Sequence, residues 1–259
     1  MHRVLTIVLA ISIAMAASLA GCATSASTAS RALAHMRAQD YFEGAPQVGL
    51  VSAIERADSA AAAAAVKQGA DPNQVGREGV TPLLWAMGKN TPSGVRIALE
   101  VGADPNLIAR WTPRDASPRH QSAMELAAMY ESPEILQILL ENGGNPNLVT
   151  TDQTKQTPIF NAILHERARN IELLLMSGAD INHRDLAMAT PIEYAVTSTS
   201  FSMALLLLRK GADPTIKDRW GRNAVDITKE FGDRGVPRGS ADQRAYPEFV
   251  SELKGRGLW

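Results

Sequence analysis

Residues 171–192 have the sequence IELLLMSGADINHRDLAMATPI, and this stretch contains the two signals that decide the fold. A leucine-rich helical run at residues 171–175 is followed by Gly178, and Thr190 stands directly before Pro191. A glycine after a helical run takes the left-handed conformation that ends a helix. A threonine before a proline is an N-cap followed by a suitable first helical residue. The stretch therefore predicts the end of one helix, a loop and the start of the next.

Both signals recur along the chain in step. The glycine that opens the first phrase recurs at intervals of 33, 41, 35 and 33 residues, at Gly69, Gly102, Gly143, Gly178 and Gly211. The capping residue that opens the second phrase is Thr81, Ser122, Thr157, Thr190 and Asn223 in turn. Because two phrases share one period of about 33 residues, the chain is predicted to be a repeat protein. Each unit is then a helix–turn–helix followed by a loop.

Over about residues 44–228 this pattern resembles the ankyrin repeat. The resemblance implies an all-α fold, an ankyrin-repeat solenoid of about six helix-turn-helix units with projecting β-hairpin loops. The histidine that usually ends the family's Thr-Pro-Leu-His phrase is replaced here by Leu84, Glu125, Phe160, Glu193 and Asp226. We therefore expect the hydrogen bonds that this histidine supplies between helices to be absent or replaced.

The repeat domain is assigned to residues 44–259, with a C-terminal cap from about residue 229. A short helix over residues 246–254 is expected to cover the last repeat, because the terminal units of a solenoid need a modified outer face. The aspartates of the first phrase, such as Asp180, lie one repeat apart rather than in a cluster. We interpret them as residues that stabilise turns through their side-chain oxygens.

The N-terminus has the features of a secretory signal: Arg3, a largely apolar run over residues 4–19, and a small-residue end. The last four residues, Leu19-Ala20-Gly21-Cys22, resemble the lipobox of bacterial lipoproteins. The resemblance implies that residues 1–21 are removed and that Cys22 becomes a lipidated N-terminus. The following residues up to 43, rich in Ala, Ser and Thr at their start, are predicted to be a flexible tether.

Lipidation would hold the chain in the periplasm, at the outer membrane rather than the inner one. Ala23 follows the cysteine, whereas the familiar inner-membrane retention signal has aspartate there. Cys22 is the single cysteine of the chain, so the mature protein is expected to form no disulfide.

No motif for catalysis, metal binding or phosphate binding occurs in the sequence. The five histidines are not spaced as metal ligands, and the net charge of −1 gives no basic field for nucleic acid. The chain is therefore predicted not to be an enzyme, to use no cofactor, to hold no metal and not to bind nucleic acid. A hydrolase within residues 229–259 is disfavoured, because the serines there, Ser240 and Ser251, have no partner base nearby in the sequence.

Function is instead expected on the loops that leave the repeats, here called the first to fifth fingers: residues 74–79, 107–121, 148–156, 183–189 and 216–222. They carry nine basic and five acidic residues. A basic edge favours a partner protein with an acidic patch, whereas ordinary solvated loop charge is the alternative.

The second finger is longer than the others by about eight residues, and it contains the Trp and Arg types that dominate binding hot spots. Packing within its own loop is the alternative role of Trp111. The predicted partner-binding residues are Arg77, Arg110, Trp111, Arg114, Lys155, Arg184, Lys217, Arg219 and Trp220.

Bacterial ankyrin lipoproteins of this layout resemble immunity proteins that neutralise antibacterial effectors, such as phospholipases delivered by type VI secretion. The resemblance implies a lipase effector as partner and membrane attachment through the N-terminal lipid. The alternative is a scaffold or accessory factor for a periplasmic enzyme such as a catalase.

Overall fold

The computed structural model describes residues 37–111, 119–151, 153–235 and 244–259. In these residues the chain forms twelve α-helices, which are five successive helix pairs that follow the repeat period and then two C-terminal helices. The helices are α1 Ala45–Glu55, α2 Ser59–Lys67, α3 Pro82–Gly88, α4 Pro92–Glu100, α5 Ala123–Met129, α6 Glu134–Glu141, α7 Pro158–Leu164, α8 Ala168–Met176, α9 Pro191–Thr197, α10 Phe201–Arg209, α11 Ala224–Arg234 and α12 Ala245–Gly255. None of the helices in the described ranges is both long enough and apolar enough to cross a membrane.

The first helix of a pair begins where the capping phrase predicted. The hydroxyl oxygen of Thr81 accepts a hydrogen bond from the backbone N–H of Leu84 at 3.1 Å. The side-chain oxygen of Asn223 accepts one from Asp226 in the same way at 2.9 Å. These bonds satisfy N–H groups that have no partner inside the helix, so the starts of α3 and α11 follow from local sequence.

The second helix of a pair ends at the predicted glycine. The five phrase glycines have φ between +85° and +102°, a conformation that costs a glycine little. Two residues beyond each glycine an Asp or Asn side chain closes the turn: Oδ1 of Asp180, for example, accepts from the backbone N–H of Asn182 at 2.9 Å. The interpretation of these aspartates as turn residues is therefore confirmed.

The asparagine that ends the phrase joins one turn to the next, which sequence reasoning had not assigned. Nδ2 of Asn147 donates to the carbonyl oxygen of Gly178 at 2.9 Å, and its Oδ1 accepts from the backbone N–H of Asp180 at 2.8 Å. Asn73 makes the same pair of bonds to Gly102 and Asp104. Each such amide satisfies both a carbonyl and an N–H of the following turn.

Replacing Asn147 with alanine should lower the free energy of unfolding by about 1 kcal/mol, since two exposed hydrogen bonds between turns are lost. Urea denaturation followed by circular dichroism measures the change. Thr215→Ala is the matched control, because Thr215 has the same position in the last phrase and its hydroxyl bonds Asp213 of its own turn. Equal losses in the two variants would show that the bonds between turns contribute nothing.

The described residues form two compact units. The first contains the residues up to Ala123 together with residues 137–144, and the second contains residues 124–136 and 145–259. In the first unit α1 packs against α2 and α3 around Leu50, Ile54 and Leu83. In the second unit α9 packs against α7, α10 and α11. The side chains of Phe160 on α7 and Phe201 on α10 are among the fully buried ones of this unit.

Helix α12 packs on α10 inside the second unit, as expected for a covering helix. The ring of Phe201 lies 5.0 Å from that of Tyr246 and 6.3 Å from that of Phe249, measured between centroids. The guanidinium of Arg209 pairs with the carboxylate of Glu248 at 2.7 Å. Since Phe249 is fully buried, α12 removes an apolar face of α10 from solvent.

Residues 37–43 are folded against the first unit, although the sequence placed them in the tether. A 3-10 helix, Ala38–Asp40, leads to Tyr41 and Phe42, whose rings lie 5.7 and 6.3 Å from that of Trp85. The carbonyl oxygen of Tyr41 accepts from the backbone N–H of Arg77 at 2.8 Å. A Cβ at Gly76 would lie 2.6 Å from that carbonyl oxygen, so the close approach requires glycine. The remaining tether, residues 22–36, lies outside the described residues.

Candidate partner-binding surface

The third, fourth and fifth fingers are joined to one another by backbone hydrogen bonds within the second unit. The N–H of Leu186 donates to the carbonyl oxygen of Thr154 at 2.8 Å. The N–H of Arg219 donates to the carbonyl oxygen of Ala187 at 3.0 Å. Consecutive fingers therefore form one connected surface rather than three independent loops.

A buried aspartate shapes each of the last two fingers. Oδ1 of Asp218 accepts from the backbone N–H of Trp220 at 2.8 Å and from that of Arg222 at 2.9 Å. Oδ1 of Asp185 accepts from the N–H of Ala189 at 3.0 Å. Both aspartates are buried, so two of the acidic residues counted on the fingers do not reach the surface.

The exposed charges of the fourth and fifth fingers are consequently all basic. They belong to Arg184, Lys217, Arg219 and Arg222. The guanidinium of Arg184 spans the two fingers, because Nη2 donates to the carbonyl oxygen of Lys217 at 2.8 Å. The structure thus gives these fingers a more uniform positive surface than the sequence count indicated.

Trp220 projects from this basic surface. The residue is 65% exposed, and the guanidinium carbons of Arg219 and Arg222 lie 5.9 and 5.6 Å from its ring centroid. Cations at this distance from an indole are attracted to the ring face. Leu186 and Met188 are exposed on the adjacent fourth finger, and sequence reasoning missed both. The signal available in the sequence was the presence of two large apolar residues, Leu186 and Met188, within a predicted loop.

We call Lys155, Arg184, Leu186, Met188, Lys217, Arg219 and Trp220 together the fingertip surface. It contains five of the nine partner-binding residues that the sequence predicted, brought onto three connected fingers. Its mixture of cations, one exposed indole and two aliphatic side chains suits a partner that offers carboxylates beside apolar groups.

The other predicted residues lie elsewhere. Arg77 is on the first finger, where its guanidinium pairs with the carboxylate of Glu43 at 2.9 Å. Arg110 is exposed on strand β1 of the second finger. Trp111 ends β1, while Arg114 and Cys22 lie outside the described residues. Arg77 and Arg110 belong to the first unit, whereas the fingertip surface belongs to the second.

The second finger contains the single antiparallel strand pair found in the described residues. Strand β1 is Ile108–Trp111 and β2 is Arg119–Ser122, with Arg110 opposite His120 in the register. Strands are absent from the described part of the other fingers. These are tight loops closed by backbone bonds, such as that from the N–H of Asp218 to the carbonyl oxygen of Arg222 at 2.7 Å. The described part of the second finger is therefore a strand pair, which sets this finger apart from the others.

Glu193, near the fingertip surface, is a buried carboxyl group whose pKa departs far from its ordinary value. It replaces the family's histidine on α9 and is 2% exposed. Burial raises the pKa of its carboxyl to about 8, and the neighbouring carboxylate of Asp218 adds to the rise. At neutral pH Glu193 is therefore predominantly protonated.

This raised pKa predicts that stability falls with rising pH. The folded protein holds the proton on Glu193 up to about pH 8, whereas the unfolded chain loses it near the ordinary value of 4.5. The stabilisation is complete below about pH 4.5 and is lost as the pH rises to about 8. We expect Glu193→Gln to remove about 4 kcal/mol of this decline, measured by urea denaturation from pH 5 to 9. Parallel declines in the two proteins would contradict the assignment.

Within the described ranges, no group of three or more His, Cys, Asp or Glu side chains is arranged to hold a metal ion. The carboxylates of Asp185 and Asp218 are instead used by backbone N–H groups of the fingers.

Comparison with known proteins supports the repeat assignment. A family model described as ankyrin repeats in three copies matches residues 50–150, 107–185 and 124–218. The chain is 31% identical over 100 residues to a putative ankyrin repeat protein of Acanthamoeba polyphaga mimivirus, covering 38% of this chain and 62% of that one. It is 30% identical over 173 residues to Protein PhlB of Serratia liquefaciens, covering 67% of this chain and 72% of PhlB.

Among solved structures, the ankyrin repeat domain of Bcl-3 is similar with a TM-score of 0.58 and 24% identity. The match covers 80% of this chain and 98% of the Bcl-3 domain, and at this identity it shows the fold alone. The chain spans less than two thirds of the mimiviral relative, so the activities of that whole protein do not transfer to it.

Proposed function

Because this chain belongs to the ankyrin-repeat family, whose repeats bind other proteins, we propose that it is an inhibitor that binds an antibacterial effector in the bacterial envelope. The observation that carries the proposal is the fingertip surface, where every exposed charge of the fourth and fifth fingers is basic around the exposed Trp220. Such a surface favours an effector with an acidic patch, and a phospholipase delivered by type VI secretion is the effector class we propose.

Attachment to the membrane through Cys22 is the second part of the proposal. Its support is the sequence Leu19-Ala20-Gly21-Cys22, which resembles a lipobox, and the polar residues that follow it. Acyl chains on Cys22 would keep the inhibitor in the periplasm, with the outer membrane favoured by Ala23. An effector that acts on lipid would then meet its inhibitor at the place where it does damage.

Coexpression tests the two parts separately. A candidate effector encoded beside the gene for this chain is directed to the periplasm, and viability is measured with and without the chain. We expect the chain to restore growth. A Cys22→Ser variant should bind the purified effector as tightly as the unaltered chain but protect cells less, because it lacks the anchor.

Two results would overturn the proposal. Full killing in the presence of the chain, with no complex between the purified proteins, would exclude the inhibitor role. A deletion strain that resists its kin but dies in hydrogen peroxide would favour the alternative, a scaffold for a periplasmic enzyme such as a catalase.

A further inference from the structure

Two finger aspartates act on the carboxyl of Glu193. Asp185 precedes it in its own repeat, and Asp218 comes from the next finger; burial leaves both carboxyl groups nearly inaccessible. Arg222 is the cation that acts on Glu193, and its side chain pairs with Asp218 at 3.3 Å. Of the helices packed on α9, α7 carries no ionisable side chain and α10 carries Arg209, which pairs with Glu248. Helix α11 carries Asp226, Lys229, Glu230 and Asp233, and none of these is among the groups that shift the pKa of Glu193. Glu193 therefore faces two carboxyl groups and one guanidinium that is already paired.

The Asp218 carboxylate cannot take up the proton without loosening its finger. Burial works against its charge, but hydrogen bonds from Arg222 and Trp220 hold the pKa of Asp218 below its ordinary value. Those bonds come from the two backbone N–H groups that close the turn around Trp220. An ionised Asp218 is thus a condition for the shape of the fifth finger.

The proton between the two carboxyl groups consequently resides on Glu193. The Glu193 carboxyl interacts with that of Asp218, and a hydrogen bond between two such acids requires that one of them be protonated. No N–H or O–H group of the described residues donates to Oε2 of Glu193. Because Oε2 is buried and receives no hydrogen bond, the protonated carboxyl, which can donate one, fits this site.

We infer that protonated Glu193 is a positioning residue for the fifth finger, and that loss of its proton releases the turn that presents Trp220. Ionisation would place a second buried carboxylate against Asp218, and in the described part of the chain no donor reaches its Oε2. Asp218 lies on a surface loop, whereas Glu193 lies in helix α9. The repulsion is therefore relieved by movement of the loop. The consequence for partner binding rests on the proposed function; the change in the finger does not.

Two-dimensional NMR of the full chain tests the change without any partner. The backbone amide signals of Trp220 and Arg222 are followed from pH 6 to 9.5. We expect both to shift together with a midpoint near pH 8. In Glu193→Gln the amide donates to Asp218 at every pH, so both signals should stay at their low-pH positions.

Glu125→Gln is the matched control, since it makes the same replacement at the equivalent position of α5. It should leave the titration of both amides unchanged. Amides that do not move in the unaltered chain, or that move equally in Glu193→Gln, would overturn the inference.

Binding of the purified effector separates this inference from the proposed function. If the effector binds through the fifth finger, the affinity of the unaltered chain should fall about tenfold between pH 7 and 9, and that of Glu193→Gln should fall less. If both amides titrate as expected while affinity stays constant in both proteins, the positioning role stands and the proposed binding surface is wrong.

Discussion

Asn170→Ala should lower the free energy of unfolding by about 3 kcal/mol, because it leaves buried carbonyl groups without a donor. Asn170 on α8 is 1% exposed. Its Nδ2 donates to the carbonyl oxygens of Ala128 at 3.0 Å and Tyr130 at 2.8 Å, with that of Ala127 at 3.4 Å. These carbonyls belong to the last turn of α5 and the residue beyond it, where carbonyl groups lack the partner that the next turn of a helix would supply. Urea denaturation of the two proteins measures the loss.

Two further variants separate hydrogen bonding from packing. Asn170→Asp keeps the shape of the side chain but removes both amide donors, so its loss of stability should at least equal that of alanine. Arg169→Ala alters the neighbouring exposed residue, whose ion pair with Glu172 at 3.3 Å is worth less than about 1 kcal/mol. If Asn170→Ala were no less stable than Arg169→Ala, water would be replacing the amide.

The hydrogen bonds of Asn170 also show which contacts could not be predicted from the sequence. Helix starts and ends at Thr81, Asn223 and Gly178 were predictable, because capping depends on residues within a few positions of one another. The role of Asn170 depends on residues about forty positions earlier, and nothing in its own surroundings in the sequence indicates them. The packing of Tyr41 and Phe42 on Trp85 escaped prediction for the same reason, since residues 37–43 lack the repeat phrases.

The exposed residues of the candidate surface were predictable from the sequence to a similar extent. Lys and Arg side chains on loops point to solvent whatever the details of the fold, so Lys155, Arg184 and Lys217 could be assigned from sequence. Whether a loop aspartate is exposed depends on which N–H groups it meets. Asp185 and Asp218 turn inward to close their fingers, and that changes the charge of the surface.

Replacement of Trp220 with alanine should weaken binding of the effector about 100-fold, which corresponds to about 2.7 kcal/mol. An exposed indole flanked by Arg219 and Arg222 offers a partner a large apolar face and two cations at one place. Loss of the ring should leave the fold intact, because Trp220 is already 65% exposed to solvent. Isothermal titration calorimetry with the purified effector measures the affinity, and circular dichroism checks the fold.

Trp259→Ala is the matched control for that experiment, because Trp259 shares the chemistry of Trp220 but not its position. It is 40% exposed, and the ammonium groups of Lys229 and Lys254 lie 5.7 and 5.5 Å from its ring centroid. If exposure and cation contact alone made a tryptophan a hot spot, both variants would lose affinity equally. If the connected fingers form the binding surface, Trp259→Ala binds normally. A Trp220→Ala variant that binds within twofold of the unaltered chain would remove the fifth finger from the interface, and the extended hairpin of the second finger would become the surface to test.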